Sequence, residues 1–296
     1  MKRRIKISNL TPMVLVSPAM IWLLIFFLIP LGIMLIYSFC QHTYSSDVRT
    51  GVSWVFTFEN YLNTFDSAYM QAILRSFWIA LINTLICLVL GYPIAYYISR
   101  KPSKFKNILL VLVIIPFWTN FIVRTYAWMV ILRENGLINS VLMRLGFINE
   151  PIQLLFTNGA VITGLVYGYL PFMILPLYAS IEKMNPSLLE AAYDLGANRF
   201  QTFLKVMVPL TMPGIIAGSI LVFIPTLGAY VTPDLLGGAK VMMIGNVIQN
   251  QYTKVRNWPF GSALSFILLI AVLVLTFLYI KFGNSQEESK QNIEHQ

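Results

Sequence analysis

Two carboxylates four residues apart, Glu190 and Asp194, have the spacing in this chain that best supports a chemical role. Residues at i and i+4 of a helix lie on one face, so both carboxylates would offer hydrogen-bond acceptors to the same partner. Acceptors of this kind predict a docking surface for another protein. The same stretch supplies small side chains that allow a partner's backbone to approach and apolar ones that fill a groove: Ala191, Ala192, Leu188, Leu189 and Leu195.

The residues around this pair predict a helix, a sharp turn and a second helix. Asn185 and Pro186 are typical of an N-cap and a first helical position. Gly196 is typical of the left-handed residue that ends a helix, and Asn198 can cap a second helix over residues 199–208. The alternative is a helix that only lies on lipid, but such helices are usually rich in Lys and Arg. Acidic and basic residues balance here, which favours a protein partner.

No arrangement of residues in the sequence supports catalysis or metal binding. The two histidines, His42 and His295, belong to no zinc motif, and no Gly-rich phosphate-binding loop is present. Cys40 and Cys87 lack the spacing of a metal site or a redox pair, so we interpret them as small apolar residues. We therefore expect no metal, no cofactor bound by this chain and no enzymatic activity of its own.

The elements that must position the docking residues are membrane-spanning helices. The chain is 57% hydrophobic and 11% charged, with a mean hydropathy of +0.70, whereas soluble domains carry about 25% charged residues. A spanning helix needs about 20 mainly apolar residues, and the third apolar run reaches this length only by including Arg124. We predict an all-α polytopic protein with one transmembrane domain, residues 13–282. Its six spans cover about 13–39, 73–99, 107–132, 158–180, 207–230 and 259–281.

The net charge of +9 is distributed in a way that indicates membrane topology rather than nucleic-acid binding. Lys and Arg accumulate in the short cytoplasmic loops of membrane proteins. The N-terminal segment 1–12, the loop 182–206 that carries Glu190 and the C-terminal segment 283–296 are therefore predicted to be cytoplasmic. The last of these is polar and is expected to be disordered. The basic residues on this side are Lys2, Arg3, Arg4, Lys6, Arg100, Lys101, Lys104, Lys106, Lys183, Arg199, Lys205, Lys281 and Lys290.

The longest loop on the opposite side runs from Gln41 to Leu74. Its stretch Phe56–Tyr61 is aromatic and polar, which is typical of an interfacial segment rather than of a folded domain. We therefore predict no separate domain outside the membrane.

The segment from Glu190 to Pro209 resembles the EAA loop of ATP-binding-cassette importer permeases, in which Glu-Ala-Ala, a later glycine and a proline recur. Other segments along nearly the whole chain resemble spermidine/putrescine importer permeases, in particular the first of that transporter's two permease subunits. They are Gly91–Ala95, Ile115–Asn120, Leu170–Met173, Pro209–Gly218, Asp234–Lys240, Ile244–Ile248 and Trp258–Gly261.

This resemblance implies a type I importer permease in a bacterial inner membrane, moving polyamine from an external binding protein to the cytoplasm by alternating access. It implies a second homologous permease, two cytoplasmic ATPases that hold ATP and Mg²⁺, and an extracytoplasmic binding protein as partners. Alternatives are an importer of another small solute, such as an anion or an amino-acid derivative, and a passive channel. The residues implied in coupling to the ATPase are Glu190, Ala191, Ala192, Asp194, Leu195 and Gly196.

A polyamine is a thin, flexible polycation, so its path requires hydrogen-bond acceptors and aromatic faces and no unpaired positive charge. Asp234 is the acidic residue near the outer end of the fifth span, although a helix cap or a partner for Lys240 would explain it equally well. Each aromatic residue can also be explained by packing or by anchoring at the interface. The candidates for the path are Trp118, Asn120, Tyr126, Tyr167, Tyr169, Tyr230 and Asp234.

Arg124 lies inside the third predicted span, where an ionisable residue is a functional candidate by default. An arginine facing the path would repel a polycation, so we favour a structural role. It would either reach the outer interface or pair with a carboxylate of the partner subunit. An Arg124 that faced the path would instead favour an anionic substrate.

Overall fold

A computed structural model describes residues 10–43 and 52–294, with the side chains of residues 16–43 and 52–277. Most of the predicted segment 1–12 lies outside the described residues. The helices are α1 (Leu10–Leu23), α2 (Ile29–Ser38), α3 (Glu59–Asn63), α4 (Ser67–Ser99), α5 (Ser103–Trp118), α6 (Phe121–Leu132), α7 (Leu137–Arg144), α8 (Asn158–Glu182), α9 (Ser187–Asp194), α10 (Arg199–Thr202), α11 (Val208–Leu210), α12 (Met212–Leu227), α13 (Ile244–Asn250) and α14 (Trp258–Glu294), and the strands are β1 (Cys40–His42) and β2 (Val52–Phe56).

Between four and six membrane spans are present in the described chain. Two apolar stretches are broken: α5 meets the stretch Phe121–Arg144 at 87°, and the stretch Arg199–Leu210 meets α12 at 71°. Six spans result if each bent pair is counted as one, and the prediction of an all-α polytopic protein is confirmed. The unbroken helices that are long and apolar enough to cross a membrane are Val16–Ser38, Ser67–Ser99, Asn158–Glu182 and Trp258–Phe277.

The local sequence explains both breaks. Thr119 is extended, with ψ at 145°, and the Asn120 side chain caps α6 by accepting the N–H of Ile122 at 2.8 Å. At the second break, Thr211 separates α11 from α12, and Pro213 near the start of α12 lacks an N–H for the helical ladder. The continuous third and fifth spans expected from the sequence are therefore each interrupted.

The described chain forms two compact units, of which the first comprises the chain up to Asp66 together with Ile248–Leu269. In this unit β1 and β2 form an antiparallel hairpin. The Asn60 side chain fixes the approach to this hairpin, because its Nδ2 donates to Ser38 O at 3.0 Å and to Cys40 O at 2.8 Å. The described part of the loop from Gln41 to Leu74 thus contains a strand and short helical turns, which the sequence analysis did not predict. The Trp54 side chain nevertheless remains 77% exposed, as an interfacial segment would require.

The second unit comprises Ser67–Val247 and the chain from Ile270 onward. Helices α4, α8 and α12 pack against one another in its centre. The fully buried Met173 of α8 lies between Gly91 of α4 and Gly218 of α12, where added Cβ atoms would be 3.1 and 2.8 Å from its side chain. Asn83 Nδ2 also donates to Thr226 Oγ1 at 2.8 Å, with both residues fully buried. Small residues and paired polar groups therefore hold these three helices together.

The last helix, α14, continues to Glu294, where the sequence predicts a disordered segment from Gly283. After Gly283 the chain is rich in Glu, Gln and Lys and has no proline. These residues propagate a helix well once it has begun.

Candidate functional site

The docking segment, residues 182–206, folds as two short helices joined by a turn at Gly196. The Asn185 side chain accepts the N–H of Ser187 at 3.1 Å, as an N-cap does, although α9 begins one residue after the position predicted from Pro186. Gly196 has φ of +82°, and its N–H donates to Tyr193 O at 2.9 Å. An added Cβ at Gly196 would meet no atom within 4 Å. The backbone conformation alone therefore requires glycine here.

The second helix of the docking segment begins at a reciprocal cap. Asn198 Oδ1 accepts the N–H of Gln201 at 2.8 Å, and Gln201 Oε1 accepts the N–H of Asn198 at 3.0 Å. The continuous helix predicted over residues 199–208 instead contains a π-helical turn, Phe203–Met207, and then runs on to Leu210.

The predicted coupling residues do not all face outward. Glu190, Ala191, Asp194 and Gly196 are exposed, and Leu195 is 89% exposed. The structure turns Ala192 inward, together with Leu189, so the close approach expected at two alanines is available at Ala191 only. The exposed surface of α9 and its C-cap therefore combines two carboxylates with the apolar side chains of Leu188 and Leu195.

An apolar contact and an ion pair connect the docking segment to the rest of the second unit. Leu189 packs in one buried cluster with Ile98, Ile181 and Met207. Near the start of the segment, Lys106 Nζ lies 2.6 Å from Glu182 Oε1, and the sequence gives no signal for this pairing of residues 76 positions apart. Leu189 thus links α9 to the buried cluster that holds residues of α4 and α8, and the ion pair links α5 to the end of α8.

Tyr92 of α4 contacts both the docking segment and the bend that follows it. Its hydroxyl lies 2.9 Å from Thr211 Oγ1, and its ring contacts the edge of Phe203 with 5.1 Å between centroids. The sequence analysis did not identify either residue as functional. Thr211 occupies the 71° bend, so Tyr92 reaches both the segment and the hinge that follows it.

The candidates for the substrate path gather in part around the break between α5 and α6. Trp118 is 79% exposed at the end of α5, and Asn120 is occupied as the N-cap of α6. Tyr126 is half-exposed, and Tyr167 contacts the edge of Trp128 with 5.6 Å between centroids. The Asn120 side chain is therefore used to cap α6, whereas the exposed side chains of Trp118 and Tyr126 are accessible to other molecules.

Arg124 lies inside this group and is 9% exposed. Its guanidinium carbon lies 5.5 Å from the ring centroid of Phe121 and 5.7 Å from those of Phe117 and Tyr167. Its Nη1 donates to Pro116 O at 3.1 Å, and the Thr119 hydroxyl donates to the same carbonyl oxygen at 2.7 Å. The structural role favoured by the sequence thus takes a third form, since Arg124 closes the break within its own chain.

The other path candidates occupy separate positions. Tyr169 is half-buried on α8, with its hydroxyl 3.5 Å from Pro225 O. Tyr230 and Asp234 are both exposed and form one turn, in which the Asp234 N–H donates to Tyr230 O at 2.9 Å. Nearby Thr232 is 1% exposed, and its hydroxyl has no hydrogen-bond partner among the described residues. The described side chains include no cluster of three or more metal-ligating residues.

The fold and the docking segment define a class of protein, the membrane-spanning permeases of transport complexes. The chain of one solved structure, a bacterial ABC transporter involved in the import of the acidic polysaccharide alginate, aligns with a TM-score of 0.70. The two chains are 18% identical, and the alignment covers 93% of this chain and 95% of that one. This likeness establishes the type I importer permease fold.

Residues 87–282 match the family described as "Binding-protein-dependent transport system inner membrane component". The chain belongs to this family, as a multi-pass permease of a bacterial inner membrane. The spermidine/putrescine transport system permease protein PotB of Escherichia coli (strain K12) is 46% identical over 258 residues, covering 87% of this chain and 92% of that protein. PotB of Haemophilus influenzae is 46% identical over 275 residues, covering 93% and 95%. These relatives confirm the resemblance seen in the sequence.

Proposed function

We propose that this chain is the permease subunit of an ATP-driven importer that carries polyamines, spermidine and putrescine, into the cytoplasm. The observation that carries the proposal is 44–46% identity to three spermidine/putrescine permeases across 87–94% of the chain. The chain hydrolyses no ATP in this proposal. ATP and Mg²⁺ bind to two partner ATPases, and a second homologous permease and an external binding protein complete the complex.

The exposed surface of α9 is the proposed contact with the ATPase. Glu190 and Asp194 supply acceptors, Leu195 an apolar anchor and Ala191 room for a partner's backbone. Closure of the ATPases on ATP would move α9, and Leu189 would pass this movement to the buried cluster around Ile98 and Met207. The spans would then open outward, and hydrolysis would return them. Because such coupling is reciprocal, the loaded binding protein should in turn favour the ATP-bound state.

A polycationic cargo suits the surroundings of the break between α5 and α6. Arg124 is covered by aromatic rings and bound to a carbonyl oxygen, so its charge is not presented as an anion site. Exposed Trp118 and Tyr126 offer aromatic faces, and a cation over such a face gains about 0.5–2 kcal/mol. Asp234 offers an exposed carboxylate. We assign Trp118, Tyr126 and Asp234 as the path residues to be tested first.

The proposed orientation places both termini and the docking segment in the cytoplasm. Charge supports this, because Lys/Arg-rich short loops stay on the cytoplasmic side. A membrane-impermeant maleimide added to sealed right-side-out vesicles should therefore not label the cysteine of the Leu195→Cys variant.

The test of the function is uptake by the whole complex. The permease is purified with its two ATPases and its second permease, reconstituted in proteoliposomes with ATP inside, and supplied with the binding protein outside. We expect accumulation of radiolabelled spermidine or putrescine that requires ATP and the binding protein. Sulfate and glutamate serve as matched anionic cargoes.

Transport of either anion in preference to polyamine would refute the cargo while leaving an importer. Polyamine flux that continues without ATP would instead indicate a passive channel. Omitting the binding protein separates the two readings, since a channel does not require it.

A further inference from the structure

An apolar groove runs along α4 and α12 in the second unit. It consists of two cavities of about 930 and 370 Å³ that share Leu88 and Ile215 in their walls. The larger cavity extends toward α9 and α10, and the smaller one extends toward Phe77 and Phe223. The larger cavity lies near the upper end of the volumes typical of small-molecule sites, roughly 300–1,000 Å³. The groove is thus large enough for a long apolar ligand.

One end of the groove is basic and rich in tyrosine. Arg199 lines the larger cavity together with Tyr96 and Tyr193, and the guanidinium carbon of Arg100 lies 5.1 Å from the ring centroid of Tyr96. Neither arginine has a carboxylate within 4.0 Å among the described side chains. The ion pair in the described part of the chain joins two other residues, Lys106 and Glu182. Two cations therefore stand at this end without an acidic partner in the described part of the chain.

The dimensions of the groove match one side of a bilayer. Tyr96 and Leu88 are eight residues apart in α4, which corresponds to about 12 Å at 1.5 Å per residue. One leaflet contributes about 15 Å of hydrocarbon to the bilayer core. Tyrosines are enriched where hydrocarbon meets the headgroups, so the Tyr96 end belongs at the headgroups. The Leu88 end then lies near the middle of the membrane.

We propose that this groove binds one anionic phospholipid. Its phosphate is held between Arg199 and Arg100, and an acyl chain follows α4 past Val89 to Leu88 and into the smaller cavity. The asymmetry of the groove favours this occupant over a protein helix, because a spanning helix would fill the apolar length but leave both guanidinium groups without an anion. Basic pockets at the cytoplasmic ends of spans are suited to anionic headgroups.

The position of this site links it to the docking segment. Arg199 is the first residue of α10, and Phe203 and Met207 in the wall of the cavity belong to the π-helical turn that follows it. A lipid bound here would contact the docking segment and α4 together. The inference does not depend on the cargo, so failure of polyamine uptake would leave it untouched.

Native mass spectrometry of the delipidated complex, with all its subunits, tests the proposal. The complex is titrated with dioleoyl phosphatidylglycerol or with zwitterionic dioleoyl phosphatidylcholine. We expect the wild type to retain phosphatidylglycerol at a concentration about tenfold lower, since each basic residue near an anionic headgroup contributes a factor of several. In the double variant Arg100→Gln/Arg199→Gln this preference should disappear.

The matched control is Lys104→Gln/Lys205→Gln, which removes two exposed charges from the same end without touching the walls of the groove. It should keep the preference. Leu88→Trp fills the constriction between the cavities and should lower retention of both lipids while the arginines remain.

Equal retention of the two lipids by the wild type would overturn the proposal, as would a preference that survives in the double variant. Retention of no lipid, together with a Val89→Cys thiol that a maleimide cannot reach, would assign the groove to a protein segment.

Discussion

The Tyr92 hydroxyl lies 2.9 Å from Thr211 Oγ1, and the Thr211 hydroxyl in turn donates to Met207 O at 2.8 Å. This chain of hydrogen bonds runs from α4 to Met207, the residue that directly follows the docking segment. Because Thr211 sits in the 71° bend before α12, the contact fixes the angle at which the segment meets the membrane bundle.

Replacing Tyr92 with Phe should remove the hydrogen bond to Thr211 while keeping the ring contact with Phe203. Loss of one buried hydrogen bond costs about 1 kcal/mol, which should appear as a lower Tm for the purified complex. We also expect more ATP hydrolysed per polyamine transported. Tyr97→Phe is the matched control, because Tyr97 lies in the same helix and is 56% exposed. Equal effects of the two substitutions would argue against a role of the Tyr92–Thr211 contact in fixing this angle.

Gly196→Val should uncouple hydrolysis from uptake. Gly196 has φ of +82°, and a side chain in the left-handed region costs roughly 1–2 kcal/mol, with β-branched residues worst. The turn after α9 would shift and displace Leu195. Gly146→Val imposes the same strain after α7, where φ is +74°, and should leave coupling intact. Uptake assays with simultaneous detection of released phosphate measure the rates of transport and of ATP hydrolysis. Normal uptake by the Gly196 variant would count against docking through α9.

Arg124→Gln should destabilise the protein and lower uptake. Pro116 O would lose its guanidinium donor, and three aromatic rings would lose a cation at 5.5–5.7 Å. Pro116 O keeps the Thr119 hydroxyl at 2.7 Å, so we expect about 1.5–3 kcal/mol, the range for loss of a hydrogen bond that involves a charged group. Exposed Arg133→Gln is the control for charge. Faster polyamine uptake by the Arg124 variant at normal Tm would show that this arginine repels cargo instead.

Gly214→Ala should be damaging despite its small size. A Cβ at this position would lie 2.5 Å from Ser180 Cβ and 2.7 Å from Pro176 O, so α8 and α12 would have to separate. Overpacking of this kind costs about 1–3 kcal/mol. Gly32→Ala, at a helical glycine with no atom within 4 Å of an added Cβ, should leave Tm unchanged or raise it slightly, because alanine favours a helix. Thermal unfolding of the two variants in the same detergent gives the comparison.

Cys40 should resist alkylation in the folded protein. The residue is 2% exposed, and burial raises the pKa of its thiol. The thiolate is the reactive form, so labelling should begin at a higher pH than for an ordinary cysteine. Maleimide labelling followed by mass spectrometry across pH 6–9 checks this, with the denatured protein as the reference. Rapid labelling of native protein at neutral pH would contradict the burial of Cys40.

Features that depend on local sequence could be predicted, and features that depend on contacts between distant residues could not. Apolar runs located the spans, and the cap residues Asn185, Gly196 and Asn198 located the helices of the docking segment. Each of these signals acts within a few residues. The inward orientation of Ala192 depends on which side of α9 meets α4 and α8, so the sequence of α9 alone does not determine it.

The two breaks illustrate the same difference. Asn120 and Pro213 are visible in the sequence, but polar caps and prolines also occur in continuous spans. At the first break Arg124 and the Thr119 hydroxyl both donate to Pro116 O, and the contact from Arg124, eight residues away, is not visible in the sequence. The path predictions at Trp118, Tyr126 and Asp234 remain predictions, because their relevance depends on the proposed second permease chain.

The position of Met173 between Gly91 and Gly218 limits how this protein can move. With glycines on both sides, α4, α8 and α12 interlock so closely that sliding one past another would force backbones together. We therefore expect these three helices to move together as one rigid body. In the proposed transport cycle, the pivots between outward-open and inward-open states would then be the interruptions at Thr119 and Thr211, where no continuous helix has to be broken.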